Sequence, residues 1–330
     1  MTSSPITRPV TLVSFIVPVR NDARRLQRCL DAIVRNQRDD IGVEIIVGDN
    51  GSTDDSREVA AAMGARVLSL PGLRVSELRN RAAARATGDL LAFVDADHVI
   101  VDTWASAAIA VLADERVGAA GALYSAPAQG SWVQRMYGAL RGRTVGAGDV
   151  GWLGSGNLVV RKAAFDAVRG FDTSLEACED VDFCRRVTGA GWRIVGDERL
   201  TSVHLGDPAT LSALFRAERW RGRDNVRVSL RGKLRLRELP SVVIPIVELM
   251  AGATMVGALL TSPLAGYRAL PAAATAGLCL VGLAMLRAWR ILLNVQSPNP
   301  LTIAQAFAVA LTYDVARASA LASRAPHHRH

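Results

Sequence analysis

Apolar residues in the first two hundred positions occur in short runs that alternate with amphipathic segments. The runs 12–17, 43–47 and 90–94 are almost entirely apolar, as expected of strands buried on both faces of a sheet. Leu26, Cys29, Leu30, Ile33 and Val34 follow the spacing of one helix face. Strands that alternate with helices predict an α/β protein with a Rossmann-like, mostly parallel sheet flanked by helices.

The same patterns predict the remaining elements of this part of the chain. Helices are expected at about 56–63, 75–86, 103–112 and 179–187, and strands at about 66–70, 118–123, 157–160, 193–195 and 201–204. The glycine-rich stretch 130–154 predicts a long functional loop with some helix.

The last ninety residues have a different pattern. Positions 239–260 form an apolar run whose single charge is Glu248, and a second run covers about 269–286. Both are long enough to span a bilayer, whereas the more polar stretch 301–321 predicts an interfacial helix. A buried helical hairpin of a soluble domain is the alternative, because Glu248 inside a span is costly unless it is paired. We expect a catalytic domain at 1–215, an Arg-rich juxtamembrane segment at 216–238 and a membrane region at 239–330.

Charge and composition favour a membrane location for these helices. The formal net charge is +8, and all but two basic residues are arginine. Nine basic residues and two acidic ones occupy 216–237, directly before the first apolar run. The positive-inside rule therefore predicts a multi-pass membrane protein with its catalytic domain on the cytoplasmic side. A membrane surface is favoured over nucleic acid as the partner, because no nucleic-acid motif accompanies the charge.

The N-terminus and the cysteines indicate the cellular compartment. Residues 1–11 lack the apolar core of a signal peptide. The four cysteines have neither metal-type nor disulfide-type spacing, which is typical of reduced thiols in the cytosol.

The candidate chemistry begins at the sequence Asp95-Ala96-Asp97, where the apolar run 90–94 ends. Ligands of open α/β sheets collect at the carboxyl ends of strands, and residues i and i+2 of an extended chain point to the same side. Two carboxylates are suitable ligands for Mg²⁺ or Mn²⁺. An acidic turn is the alternative for this tripeptide alone.

Four motifs in order resemble family 2 glycosyltransferases with the GT-A fold. They are Val17-Pro18-Val19-Arg20-Asn21, Val47-Gly48-Asp49-Asn50-Gly51-Ser52-Thr53-Asp54, Asp95-Ala96-Asp97, and Glu179-Asp180 followed by Asp182 and Arg185-Arg186. The resemblance covers about residues 10–204 and implies transfer of a sugar from a nucleotide-sugar donor.

The resemblance also implies the donor and metal residues. The nucleotide would contact residues of the first three motifs and of an Arg-Asn motif, Arg79-Asn80. These contact residues are Pro18, Val19, Asn21, Asp49, Arg79, Asp95 and Ala96. Asp97, with Asp95 directly or through water, would hold Mg²⁺ or Mn²⁺, and His204 would complete the metal shell. The alternatives are an Asx-turn for Asp49, a solvated helix face for Arg79, and a core or surface histidine for His204.

An acceptor hydroxyl must lose a proton as it attacks, so the site needs a general base. The E-D motif implies that Asp180 is this base, and Glu179 beside it would raise the pKa of Asp180 through like-charge repulsion. The helix N-terminus would lower that pKa, and simple helix capping is the alternative for Asp180. Direct displacement with inversion follows from the resemblance.

Acceptor or phosphate contacts are predicted for Glu179, Trp152, Arg219 and Trp220. Arg216-Ala217-Glu218-Arg219-Trp220 is similar to the Q-x-x-R-W motif of processive relatives, but Arg216 replaces the glutamine. Processivity therefore stays open.

The sequence predicts a membrane-bound, metal-dependent, inverting hexosyltransferase that acts on a lipid-linked acceptor or a cell-envelope glycan. A nucleotidyltransferase is an alternative, although Pro18-Val19-Arg20-Asn21-Asp22 lacks the glycine-rich loop that a triphosphate requires. A catalytically inactive membrane scaffold is the other.

Overall fold

Eight strands form one twisted sheet in the computed structural model, which describes residues 11–231, 239–265 and 269–322. The strands of this sheet are β1 (Thr11–Val19), β2 (Ile41–Asp49), β3 (Arg66–Ser69), β4 (Leu90–Val94), β6 (Val117–Gly121), β7 (Ala147–Asp149), β8 (Asn157–Arg161) and β9 (Arg193–Asp197). Their order is β3-β2-β1-β4-β8-β6-β9-β7, and β3, β2, β1 and β4 are mutually parallel. The predicted α/β class is therefore confirmed, with antiparallel pairing added around β8 and at the β7 edge.

Apolar side chains on both faces of β1 and β4 explain the central position of these strands. Val13, Phe15 and Val17 pack on one face with the apolar side of the helix Ala23–Val34, while Ile16 and Phe93 pack on the other. Burial of both faces requires helices on both sides of the sheet.

Seven helices belong to this sheet unit as the structure describes it. They are α1 (Ala23–Val34), α2 (Ser56–Ala62), α3 (Val75–Ala83), α4 (Trp104–Leu112), α6 (Lys162–Ala167), α7 (Glu179–Gly189) and the 3₁₀ turn Glu198–Leu200. A small antiparallel sheet joins β5 (His98–Ile100) to β10 (Ser202–His204), and His98 and His204 are partners in its register. This pairing brings the end of the unit next to Asp95-Ala96-Asp97, which we call the D-A-D loop.

A second compact unit consists of Pro127–Gly142, Glu176–Cys178 and the chain from Asp207 onward. The first unit consists of the chain up to Ala126, Arg143–Leu175 and Glu179–Gly206. The second contains α5 (Trp132–Arg141), α8 (Leu211–Arg221), α9 (Asn225–Ser229), α10 (Leu239–Ala265), α11 (Leu270–Leu292) and α12 (Pro300–Ala322). The predicted limits of the catalytic, juxtamembrane and membrane regions stay predictions.

Apolar packing joins four helices of the second unit. Val133, Met136 and Tyr137 of α5 pack with Leu214 of α8 and with buried residues of α11 and α12. Leu239–Ser262 and Leu270–Leu292 are long and apolar enough to cross a membrane. A helix also occupies the predicted interfacial stretch, while part of the Arg-rich segment, 232–238, lies outside the described residues.

One local detail differs from the sequence prediction. β1 continues through Pro18 to Val19, because Pro18 lies beyond the stretch of β1 that pairs with β4. The helix expected within the glycine-rich stretch 130–154 is α5, whose N-terminus has a capping box of Ser131 and Gln134.

Candidate active site

Two loops at the carboxyl ends of β1 and β2 are hydrogen-bonded to each other. The Asn21 backbone N–H donates to Ser52 Oγ at 3.0 Å, and the Thr53 N–H donates to Asn21 Oδ1 at 2.7 Å. Asn21 has a φ of 52°, a left-handed conformation that asparagine tolerates better than most residues. The first two sequence motifs therefore form one connected loop pair.

Asp49 ends β2 and is fully buried beneath this loop pair. Its Oδ1 accepts from the Ser52 N–H at 3.1 Å, and Arg57 Nε lies 3.9 Å from its Oδ2. The first of these contacts is the Asx-type turn that the sequence left as an alternative. A role in nucleotide binding stays a prediction.

A cavity of about 280 Å³ opens at this edge of the sheet. It is lined by residues from the first, second and third motifs and from α3: Pro18, Val19, Arg20, Asp22, Asn50, Val75, Leu78, Asp95, Ala96 and Asp97. Pro18, Val19, Val75 and Leu78 supply apolar surface, and the D-A-D carboxylates supply charge. Such a combination is typical of a site that takes an apolar ligand group and, at the carboxylates, a cation.

Asp97 faces two histidines. Its Oδ2 lies 3.1 Å from His204 Nε2, and one ligand atom from each of Asp97, His98 and His204 lies within 4.8 Å of the others. Burial raises the pKa of Asp97, but the His204 hydrogen bond and the charges of His204, His98 and Arg25 outweigh it, so this pKa lies well below its usual range. The carboxylate is thus ionised and available as a ligand.

His98 is the member of this cluster that the sequence analysis did not select. Its Nδ1 is 2.9 Å from Ser202 Oγ, and its ring centroid is 4.6 Å from that of His204. When Nδ1–H donates to Ser202, the second ring nitrogen Nε2 carries the lone pair, which is the usual tautomer of a metal-binding histidine. One carboxylate and two imidazoles therefore fit a divalent metal ion.

Asp95 lies between the cavity and a buried arginine. Arg79 Nη2 donates to Asp95 Oδ1 at 2.6 Å, and Arg79 Nη1 donates to Glu179 Oε1 at 2.9 Å. On the other side, a Cβ at Gly156 would come within 2.6 Å of Asp95 Oδ2, so this close approach requires glycine.

Asp180 follows Glu179 in the first turn of α7. The Val181 N–H donates to Asp180 Oδ1 at 2.8 Å. Burial and the charge of Glu179 raise the pKa of Asp180 to about 7, against the opposing effects of the Val181 N–H and Arg79. A carboxyl with this pKa exchanges its proton near neutral pH.

Comparison with known proteins explains this combination of loops. Residues 14–166 match the model of the family described as "Glycosyl transferase family 2". The match assigns this region, 14–166, to glycosyl transferase family 2. Among curated relatives, this glycosyltransferase is 26% identical to glycosyltransferase AglE of Haloferax volcanii over 252 residues, 71% of this chain and 79% of that protein. It is 28% identical to the pre-mycofactocin glycosyltransferase of Mycobacterium tuberculosis over 58% of this chain and 42% of that protein.

Solved structures show the same fold. The mannosyltransferase PcManGT from Pyrobaculum calidifontis, crystallised with GDP-Man and Mn²⁺, has a TM-score of 0.55 and 18% identity, over 93% of this chain and 87% of that chain. GalNAc-T7, crystallised with UDP, GalNAc and Mn²⁺, has a TM-score of 0.53 and 14% identity, over 71% of this chain and 51% of that chain. The GT-A fold predicted for the glycosyltransferase is confirmed, and neither a nucleotidyltransferase nor an inactive scaffold is favoured.

The remaining predicted residues of the glycosyltransferase are exposed. Trp152 is 50% exposed and precedes β8 in the first unit. Arg219 and Trp220 lie on the exposed side of α8 in the second unit, while Glu218, directly before them in the sequence, is fully buried. Acceptor contacts of these residues stay predictions.

Proposed function

We propose that this glycosyltransferase moves a hexosyl group from a nucleotide sugar to a lipid-linked or glycan acceptor at the cytoplasmic face of a membrane, with inversion and with a divalent metal. The observation that carries the proposal is that one unit contains both Asp97, His98 and His204, which could hold a metal ion, and the Asp180 carboxyl, whose pKa burial and Glu179 raise to about 7. Arg79 connects the two, because it contacts Asp95 and the residue before Asp180.

Asp97, His98 and His204 would hold the metal ion. When bound, the ion would neutralise charge that develops on the departing diphosphate. The two imidazoles favour Mn²⁺ over Mg²⁺, because Mg²⁺ prefers an octahedron of oxygen ligands. The Mn²⁺ in PcManGT and GalNAc-T7 supports this choice.

Asp180 would act as the general base. Its carboxylate would take the proton of the acceptor hydroxyl while the oxygen forms a bond to the anomeric carbon. The bond from that carbon to the diphosphate oxygen breaks in the same step, and the nucleoside diphosphate leaves with the electron pair. A single displacement of this kind inverts the anomeric configuration.

The donor would occupy the cavity beside the connected loops. Pro18, Val19, Val75 and Leu78 offer apolar surface to a base or ribose, and Asp95, Ala96 and Asp97 lie on the side where the diphosphate would approach the metal. Asp49 and Asn21 would act here by fixing the loops, since their side chains are engaged in loop hydrogen bonds.

Membrane attachment is supported by two candidate spans and by the basic flank that precedes them. Met250, Leu260, Leu278 and Trp289 on these helices are more than half exposed, as expected of side chains that contact lipid. This location suits an acceptor carried by a lipid or by an envelope glycan.

The test uses the full chain in detergent with Mn²⁺ and UDP-glucose, UDP-N-acetylglucosamine or GDP-mannose, with water as the acceptor of the hexosyl group. It measures nucleoside diphosphate release and thermal stabilisation. We expect release with at least one donor, and we expect Asp180→Asn to lower it by about 1000-fold while stabilisation by the donor is retained. Asp166→Asn, which alters an exposed pair with Lys162, is the control. Equal loss of release and of donor stabilisation in Asp180→Asn would contradict the role as base.

A further inference from the structure

Arg79 lies in the middle of α3 and is only 2% exposed. A guanidinium keeps its charge in proteins, and burial of an unpaired charge is very unfavourable. The surroundings of Arg79 must therefore supply counter-charge, and they determine what the residue does.

Its two terminal nitrogens bind two carboxylates that belong to different parts of the site. Nη2 donates to Asp95, which follows β4, and Nη1 donates to Glu179, which begins α7. The positions are 16 and 100 residues from Arg79 along the chain. A planar guanidinium fixes both the distance and the angle between its two partners, which a flexible ammonium does not.

The other contacts of Arg79 and Glu179 restrict the bridge further. The guanidinium lies 5.8 Å from the centre of the Phe171 ring, and Ser155 Oγ donates to Glu179 Oε1 at 3.3 Å. Glu179 itself is 8% exposed. Both terminal nitrogens of Arg79 are thus directed at protein carboxylates, which indicates a function within the protein itself, while the nucleotide contact stays a prediction.

We propose that Arg79 is a positioning residue that fixes Glu179 against Asp95 and thereby places the adjacent Asp180 carboxylate beside the metal-binding loop. The inference rests on the proposed function, in which Asp180 is the base. In this chain the arginine of the Arg-Asn motif would therefore hold two parts of the proposed site together, the D-A-D loop and the N-terminus of α7.

Electrostatics agrees with this geometry. The charged groups that act on Asp180 are Glu179, which raises its pKa, and Arg79, which lowers it. The Cys184 thiol of the same helix has a pKa raised to about 12 by burial first and also by Asp180, so it stays neutral. Removal of the Arg79 charge should therefore raise the pKa of Asp180 further, and removal of the Glu179 charge should lower it.

The experiment compares Arg79→Gln, Arg79→Lys and Glu179→Gln in the full chain. Nucleoside diphosphate release from the most active of UDP-glucose, UDP-N-acetylglucosamine and GDP-mannose is measured against pH, with kcat and KM separated, and thermal unfolding is recorded for each variant. Arg81→Gln is the matched control, because Arg81 lies on the same helix in an exposed pair with Glu77.

Arg79→Gln should lower kcat by about 100-fold, the usual effect of a small misplacement of a catalytic group. The acid limb of its pH–rate profile should move to higher pH, because Asp180 then stays protonated up to a higher pH. Arg79→Lys keeps the charge but not the fork, so the acid limb should stay while kcat falls by about 10-fold. Glu179→Gln should move the acid limb to lower pH, which provides a test even where Arg79→Gln does not fold.

The positioning role is overturned if the wild type is active and the Arg79 variants have the same kcat and the same acid limb. A lower unfolding temperature in those variants would then show that Arg79 has only a structural role. A wild type that releases nucleoside diphosphate from none of the three donors overturns the proposed function itself and this inference with it. An effect of the same size in Arg81→Gln would also overturn the assignment to Arg79.

Discussion

Asp97 is held through its side chain and its backbone by residues far away in the sequence. Its carboxylate faces His204 Nε2, and its backbone oxygen accepts from the Leu205 N–H at 2.8 Å. Gly206 completes this contact, because a Cβ at that position would overlap Asp97 Oδ2. The orientation of the carboxylate therefore depends on a glycine outside the four motifs.

Gly206→Ala should weaken Mn²⁺ binding by about 10-fold or more, because the new methyl group must displace the Asp97 carboxylate, and loss of support around a ligand has effects of this size. Free Mn²⁺ measured by electron paramagnetic resonance during titration of the full chain gives the affinity without reference to activity.

Gly189→Ala serves as the matched control, since a Cβ there meets no atom within 4 Å. Unchanged Mn²⁺ affinity in Gly206→Ala would show that the Asp97 carboxylate is not the ligand.

At the residue scale, the sequence predicts where candidate site residues lie, but it does not predict which side chains they contact. The spacing of Asp95 and Asp97 after an apolar strand predicts carboxylates at the sheet edge, and the structure places both there. The Arg79 bridge joins positions up to 100 residues apart, so no local pattern contains it. His98 follows the D-A-D tripeptide directly, but its importance depends on the pairing of β5 with β10.

Among the helices of the second unit, Glu218 of α8 is a central contact. It is fully buried and accepts from Tyr137 Oη of α5 at 2.6 Å, from Arg221 Nη1 at 2.9 Å and from Arg317 Nε of α12 at 2.8 Å. Burial raises the pKa of Glu218, but the charges of Arg317 and Arg221 and the Tyr137 hydrogen bond outweigh it, so the net pKa is lowered. One carboxylate therefore connects three helices.

Glu218→Ala should destabilise the full chain by about 3–5 kcal/mol, the usual cost of removing one partner of a buried ion pair. It leaves the largely buried Arg317 guanidinium without its counter-charge. Chemical denaturation in detergent measures the change, and Arg216→Ala, at an exposed position of the same helix, is expected to be nearly neutral.

A loss in Glu218→Ala no larger than that in Arg216→Ala would contradict the central role of Glu218. The Arg317→Ala, Glu218→Ala double variant should lose less than the sum of the two single variants, because both remove the same pair.

At the element scale, length determined what the sequence could predict. Long apolar runs predicted β1, β2 and β4, and an amphipathic period predicted α1. Strands of three residues such as β5 and β7 contain too few positions to show a period of two, and α6 contains too few to show a helical period. The antiparallel direction of β8 depends on its neighbours in the sheet, which its own five residues do not encode.

For the whole molecule, the candidate spans determine how the protein should behave in a cell. Leu239–Ser262 and Leu270–Leu292 are long, predominantly apolar and largely exposed. A helical pair that crosses a bilayer is held by the hydrophobic effect, whereas a basic surface is held by charge that salt screens.

The full chain should therefore remain in the membrane pellet after both a high-salt wash and an alkaline carbonate wash. A variant in which exposed Arg216 and Arg219 are replaced by Gln should behave in the same way, because the spans are unchanged. Immunoblotting of pellet and supernatant gives the result, and release of the protein by carbonate would overturn the spans. Deletion of the last helices is a poorer test, since α11 and α12 share an apolar core with α5 and α8.

The pairing of His98 with His204 also has a consequence for the order in which the protein matures. Asp97 and His204 are separated by 107 positions, and they meet only after β10 has returned to β5. During synthesis, a chain that has emerged only as far as β9 carries the D-A-D loop without His204, one of the two imidazoles of the proposed metal site. That site would thus be completed last in the sheet unit, and a bound ion would stabilise the pairing of β10 with β5.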